Sequence, residues 1–211
     1  MSKTPKIILA SQSPRRHEIL AKMGVEFEPI PSQFDEHLDD SRDVHEVIKE
    51  LALGKALDIA QRYPEAYVIG SDTIVTIHGK QLEKPIDSNE ARSFLESFAG
   101  QQTPVLNGIA LVNLSKGIQI VKSDWSTVYF KPNSDEIQAE REKYLASNDW
   151  KDKAAGYGIQ SGAAPLIDYI EGDYDTIMGL SSRLLSEILK EVGITSSILA
   201  EEAPVPQHSK K

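Results

Sequence analysis

The sequence predicts an α/β protein in which a mixed, twisted sheet carries helices on its faces. Two patterns predict it. Short apolar runs alternate with helix-period stretches toward both ends of the chain, and a hairpin-like section lies between them. The composition agrees: 211 residues, 40% hydrophobic and 26% charged, are enough for one such domain or for two small lobes sharing a core.

Residues 6–10 read as a buried first strand that ends in Ser11-Gln12-Ser13-Pro14-Arg15-Arg16. Ser13 is a good N-cap and Pro14 suits the first helical position. Ile19, Leu20 and Met23 then recur at helical spacing, and Gly24 suits the residue after the cap. Residues 25–30 read as a second strand, followed by an acidic loop holding Asp35, Glu36, His37, Asp39 and Asp40. Residues 43–63 form an amphipathic helix whose stripe is Val44, Val47, Ile48, Leu51 and Ile59. A central strand runs over 67–77 with the polar triplet Ser71, Asp72, Thr73 inside it. Gly79 marks a turn. Lys84-Pro85 precedes a helix faced by Ala91, Phe94, Leu95 and Phe98 and stopped by Gly100.

Strands are expected at 106–112, 118–121 and 125–130, with a turn at Ser115, Lys116 and Gly117. Ser134 caps a helix through Tyr144 and Leu145. Gly156, Gly158 and Gly162 break up the loop after it, residues 166–170 form a strand, and Leu184, Leu185, Ile188, Leu189 and Val192 line a last helix. One domain over 1–194 is expected, with a disordered tail over 195–211, where the chain turns polar and proline-bearing.

The formal net charge of −9 argues against nucleic acid or a membrane surface as partner, since both are polyanions. With no cysteine, disulfides and thiolate chemistry are excluded. The polar start leads into an apolar run too short for a signal-peptide core or a membrane span. The expected location is the cytoplasm.

Three features need a chemical reason. Arg15 and Arg16 fall in the first turn of a helix, where the dipole already places positive charge. Either they point to solvent or pair with the acidic loop, or they cradle an anion with free backbone N–H groups and the hydroxyls of Ser11 and Ser13. Lys55, at ~100° per residue, falls in the middle of its helix's apolar stripe. It either snorkels past the core or reaches into a cleft. Asp72 lies between two apolar runs; it is a turn aspartate, or it holds a divalent metal or takes a proton from water. Glu36 joins it at a metal, or is simply solvated. Lys84 adds a further cation. Cations at 15, 16, 55 and 84 with hard-oxygen ligands at 72 and 36 suit metal-assisted attack of water on a phosphoanhydride. No Walker motif, nucleophile elbow or zinc-protease motif occurs.

The sequence resembles the Maf family over residues 7–192. The resemblance is carried by Ala-Ser-Gln-Ser-Pro-Arg-Arg at 10–16, Ser71-Asp72-Thr73, Leu82-Glu83-Lys84-Pro85, Asp152-Lys-Ala-Ala-Gly-Tyr-Gly-Ile-Gln160, and Glu171-Gly172-Asp173-Tyr174 with Gly179-Leu180. It implies an ITPase-like α/β fold with two lobes around a central cleft. It also implies conversion of a nucleoside triphosphate to its monophosphate and pyrophosphate with a divalent metal, magnesium or manganese. Asp72 would then be the proton acceptor, Glu36 would lie near the metal, and Lys55, Lys84, Arg15 and Arg16 would face the phosphates. The pairing of Arg15, Thr73 and Gln160 resembles the branch acting on dTTP and UTP, in which Gln160 would read a pyrimidine edge. The alternatives are a 7-methyl-GTP pyrophosphatase and a nucleotide-binding regulator of septum formation with little turnover. A homodimer is implied as well. The chain departs from the family pattern at 99–103, at Asn107 where threonine is usual, at Ser161 where glycine is usual, and at Ser181 where proline is usual. Ser161 is expected to reshape the base pocket.

Overall fold

The computed structural model describes residues 5–194. The tail expected over 195–211 lies outside the described residues. The elements run β1 (Ile7–Leu9), α1 (Pro14–Lys22), β2 (Glu28–Pro29), α2 (Val44–Ala60), β3 (Tyr67–Ile77), β4 (Lys80–Leu82), α3 (Ser88–Ser97), β5 (Gln102–Asn113), β6 (Ile118–Phe130), α4 (Asp135–Ser147), β7 (Ile167–Glu171), α5 (Tyr174–Met178) and α6 (Ser182–Glu191). Short 3-10 turns at Ala154–Gly156 and Ala164–Leu166 punctuate the loop between α4 and β7.

The strands form one sheet in the order β2-β1-β3-β5-β6-β7, with β4 paired to β3. β1 is parallel to both neighbours, and the remaining pairs are antiparallel. This is the expected mixed sheet with helices on its faces. Strand periodicity divides the core. Ile8, Val68, Ala110 and Val112 meet Ala52, Ala56 and Ile59 of α2 on one face. Leu9, Ile69, Ile109 and Leu111 meet Ile19, Leu20, Leu185 and Ile188 on the other. No helix among the described residues is long and apolar enough to cross a membrane.

Two expectations are corrected, and two short elements, β4 and α5, are added. The second strand, expected over 25–30, pairs only at Glu28–Pro29, because it is an edge strand in which Pro29 and Pro31 have no N–H to offer. The strands expected at 118–121 and 125–130 are one, paired without a break along β5. The intervening Lys122-Ser123-Asp124 is polar enough to interrupt the apolar pattern, but its charges find distant partners: Lys122 pairs with Glu191, and Asp124 accepts from Ser181 and Arg183. α5 was not expected. It is only five residues long, too short for a period to register.

Two glycines bring α2 unusually close to the sheet. A Cβ at Gly70 of β3 would lie 2.2 Å from the Ala52 carbonyl oxygen, and one at Gly108 of β5 would lie 2.3 Å from that of Ile48. Only a hydrogen at these positions lets the helix backbone rest on the strands.

Candidate active site

β3 changes neighbours in mid-course. β1 pairs with it as far as Ile69, and β4 pairs with it only from Val75 onward. Residues 70–74 therefore have no strand beside them on that edge, while β5 pairs along the other. A cavity of about 600 Å³ opens there. It is walled by the loop leaving β1, the acidic loop, α2, β3, the Lys84 segment and the loop around Asp152, and its lining includes Gly179. Crevices at the carboxyl ends of parallel strands are the usual ligand sites of such sheets.

The polar triplet of β3 splits between the two faces. Asp72 points toward α2, where Lys55 Nζ donates to its Oδ1 at 2.8 Å. The same ammonium lies 2.9 Å from Glu36 Oε1. Lys55 is 8% exposed, so the stripe position carries it into the cleft and not past the core into solvent. The loop bearing Glu36 is fastened to α2: Asp58 accepts from Ser32 Oγ and the Gln33 N–H, and the Phe34 ring lies over Gly54. Ser71 and Thr73 point to the opposite face, toward Gly179 and Asn107.

Arg16 reaches across the cavity floor. Its Nε donates to the Gly179 carbonyl at 2.8 Å, one terminal nitrogen donates to Ser11 Oγ at 3.3 Å, and the other donates to Thr73 Oγ1 at 3.1 Å. That last nitrogen is also 3.6 Å from Asp72 Oδ1. Burial pulls the Arg16 guanidinium below its ordinary value, against the opposing pull of Asp72 and Glu36. Among the described residues, every ion pair and side-chain hydrogen bond to Asp72 falls on Oδ1. Ser13 stands at the N-cap of α1 without using its hydroxyl as a cap, and its own N–H donates to Ser11 Oγ.

Arg15 turns to the late loop, where it meets the Asp152 carboxylate at 3.4 Å. Asp152 also takes a 2.8 Å hydrogen bond from Lys153. Burial pushes the Asp152 carboxyl upward, but the Lys153 hydrogen bond and the charges of Lys153 and Arg15 outweigh it and hold the group below its usual value. The late loop is docked on the Lys84 segment by the Ala155 N–H, which donates to the Glu83 carbonyl at 2.9 Å. Lys84 itself is exposed, lines the cavity, and has no ion pair among the described residues.

The structure thus gathers Ser11, Ser13, Arg15, Arg16, Glu36, Lys55, Asp72, Thr73 and Lys84 around one cavity. Gln160 is exposed and does not belong to the lining. Among the described residues no group of three or more acidic, histidine or cysteine side chains gathers as a metal cage.

A family model described as Maf-like protein matches residues 6–192, nearly the whole chain. The chain belongs to the Maf family. Curated relatives match over a similar extent of the chain. A dTTP/UTP pyrophosphatase of Pyrococcus furiosus is 38% identical, with 88% of this chain and 94% of that protein covered. One of Syntrophus aciditrophicus is 40% identical, covering 90% of this chain and 91% of the relative. One of Clostridioides difficile is 38% identical over 88% and 94%.

Within this Maf-family site several contributors were not singled out by residue type or spacing. Asp152 and Lys153 lie inside a recognised motif, yet nothing in it shows that Asp152 meets Arg15 or that Lys153 pairs with Asp152. Tyr157 lines the cavity and is buried, which pushes its hydroxyl upward; Thr103, at one departure from the Maf pattern, lies 3.4 Å from it. Ser161 does not reach the cavity. Its hydroxyl folds back to the Gly158 carbonyl at 3.0 Å, so it braces the loop from behind.

Proposed function

We propose that this chain is a nucleoside triphosphate pyrophosphatase that hydrolyses dTTP and UTP to the monophosphate and pyrophosphate. The observation that carries it is the convergence of Lys55, Arg16 and Glu36 about Asp72 in a cavity whose rim adds Arg15 and Lys84. Cations spread over such a site suit a polyphosphate chain better than a single phosphate. The substrates follow the names of relatives that match most of the chain.

The donor set fits a magnesium or manganese ion. The ion would be held by Glu36 through the oxygen that Lys55 does not engage and by substrate phosphate oxygens, beside the Asp72 carboxylate, and one or two carboxylates with substrate phosphates are how magnesium is commonly held. With no larger acidic cluster among the described residues, the ion is best supplied together with the nucleotide. Once there, it neutralises phosphate charge and polarises the phosphoryl oxygens.

The protein's own groups do the rest. Lys55 and Arg16 occupy Asp72 Oδ1, so Oδ2 is the oxygen left to take the proton of the attacking water. Lys55 uses two of its three donors on Asp72 and Glu36, and the third is available to a phosphate. Arg16 is held in place before substrate arrives, so little ordering remains to be done in the transition state. Arg15 and Lys84 hold the outgoing pyrophosphate.

The test is product analysis on a panel of nucleoside triphosphates with magnesium or manganese. Pyrophosphate released from dTTP and UTP, and lost in Asp72→Asn, supports the reading. Preference for 7-methyl-GTP would move the substrate to the other branch. A folded protein that cleaves none of them would mark the site as one for binding alone.

A further inference from the structure

The side chain of Asn107 has no exposed surface, and both ends of its amide are hydrogen-bonded. Nδ2 lies 2.7 Å from the Asp72 carbonyl, 3.0 Å from the Gly179 carbonyl and 3.0 Å from Ser71 Oγ. Oδ1 accepts the backbone N–H of Ser181 at 2.9 Å. The partners allow one orientation only. Two carbonyls can only accept and an N–H can only donate, so a flipped amide would set like against like at three points.

The register places this amide where it is needed. Asn107 of β5 is the cross-strand neighbour of Thr73 on β3 and shares its face of the sheet. Through the amide, the catalytic strand is tied to the segment 179–181, which enters from the far end of the chain. Gly179 has φ +113, a conformation that suits glycine, and its carbonyl is aimed at Arg16 Nε. Ser181 is also fully buried and caps α6, with its hydroxyl on Asp124 at 2.8 Å.

We infer that Asn107 and Ser181 form a positioning pair: their bond fixes the Gly179 carbonyl, and through it sets the Arg16 guanidinium against Asp72 and the incoming phosphates. This rests on reading the cavity as a triphosphate site. The two residues are also two of the positions at which the chain departs from the Maf pattern, and the geometry makes those departures a single change. A serine at 181 presents an N–H that needs a buried acceptor. A proline there has none, and then an acceptor at 107 has nothing to receive.

The test is a cycle of Asn107→Thr, Ser181→Pro and the double variant, with Ser181→Ala as reference. Ser181 has φ −61, so proline fits its backbone. Ser181→Ala keeps the N–H and loses only the hydroxyl. Melting temperature, calorimetric affinity for inorganic pyrophosphate, and kcat and KM on dTTP are read for each. Each single change that orphans a partner should weaken pyrophosphate binding and lower kcat/KM by about 10- to 100-fold. The double variant, which leaves neither group unpaired, should be less impaired than either. Ser181→Ala should lose melting temperature but keep pyrophosphate affinity. Losses that multiply in the double variant overturn the inference. So do variants that melt earlier with unchanged pyrophosphate affinity and kcat/KM, since that would make the pair merely structural. A wild-type protein that does not cleave dTTP overturns the proposed reaction instead; pyrophosphate binding and melting then still decide the fate of the pair.

Discussion

Lys55 Nζ lies 2.8 Å from Asp72 Oδ1, and both side chains are about nine-tenths buried. An ammonium and a carboxylate so placed are worth little to stability when both are present and cost much when one is removed. The contact is therefore best understood through function. On the proposed reaction it holds a base and a phosphate-binding cation in one geometry, and Glu36 completes the arrangement at 2.9 Å.

Lys55→Met should lower kcat/KM by about 100-fold or more and lower the melting temperature, because Asp72 and Glu36 then lose their shared cation. Adding Glu36→Gln should recover part of the melting temperature and none of the activity. Parallel melts and steady-state kinetics check both halves.

Asp72→Asn preserves shape and removes the proposed proton acceptor. Its kcat should fall by about 10²- to 10⁴-fold. Pyrophosphate affinity, measured by calorimetry, should hold or improve, since a negative charge leaves the phosphate site.

Gly70→Ala pushes a methyl group to within 2.2 Å of the Ala52 carbonyl oxygen. The helix must move off the strand, at a cost of about 1–3 kcal/mol. Because α2 carries Lys55, activity well below the melting temperature should fall too. Urea unfolding with assays at low temperature separates the two effects.

The Asp152 carboxyl is held below its usual value by Lys153 and Arg15. A depressed acid adds stability above its unfolded value, about 3.9, and loses it as the pH falls through its folded value. Wild type should therefore melt above Asp152→Asn by a constant margin at neutral pH, and that margin should shrink and then vanish as the pH falls from the unfolded value through the lower folded one. Melting curves across pH 2–8 test the sign.

The sequence foretold much of this because the telling residues break a local rule. Asp72 interrupts an apolar strand and Lys55 interrupts an apolar helix stripe, and each anomaly points to a site without any knowledge of the fold. What joins them does not show in the chain. Nothing local says that Lys55 and Asp72 meet, since Gly70 and Gly108 make that approach possible from two other places. The misread stretch at 122–124 fails for the same reason: its polar side chains are answered by Glu191, Ser181 and Arg183, far away in sequence. Arg15 and Asp152, likewise, are joined only by the fold.

The interval of β3 left bare between β1 and β4 has a longer consequence. One wall of the cavity is a ladder of backbone hydrogen bonds, and its other walls are largely loops. Substitutions in those loops can reshape the cavity without disturbing the rung on which Asp72 stands. The anchor of the site and its contour are thus carried by separate parts of the chain.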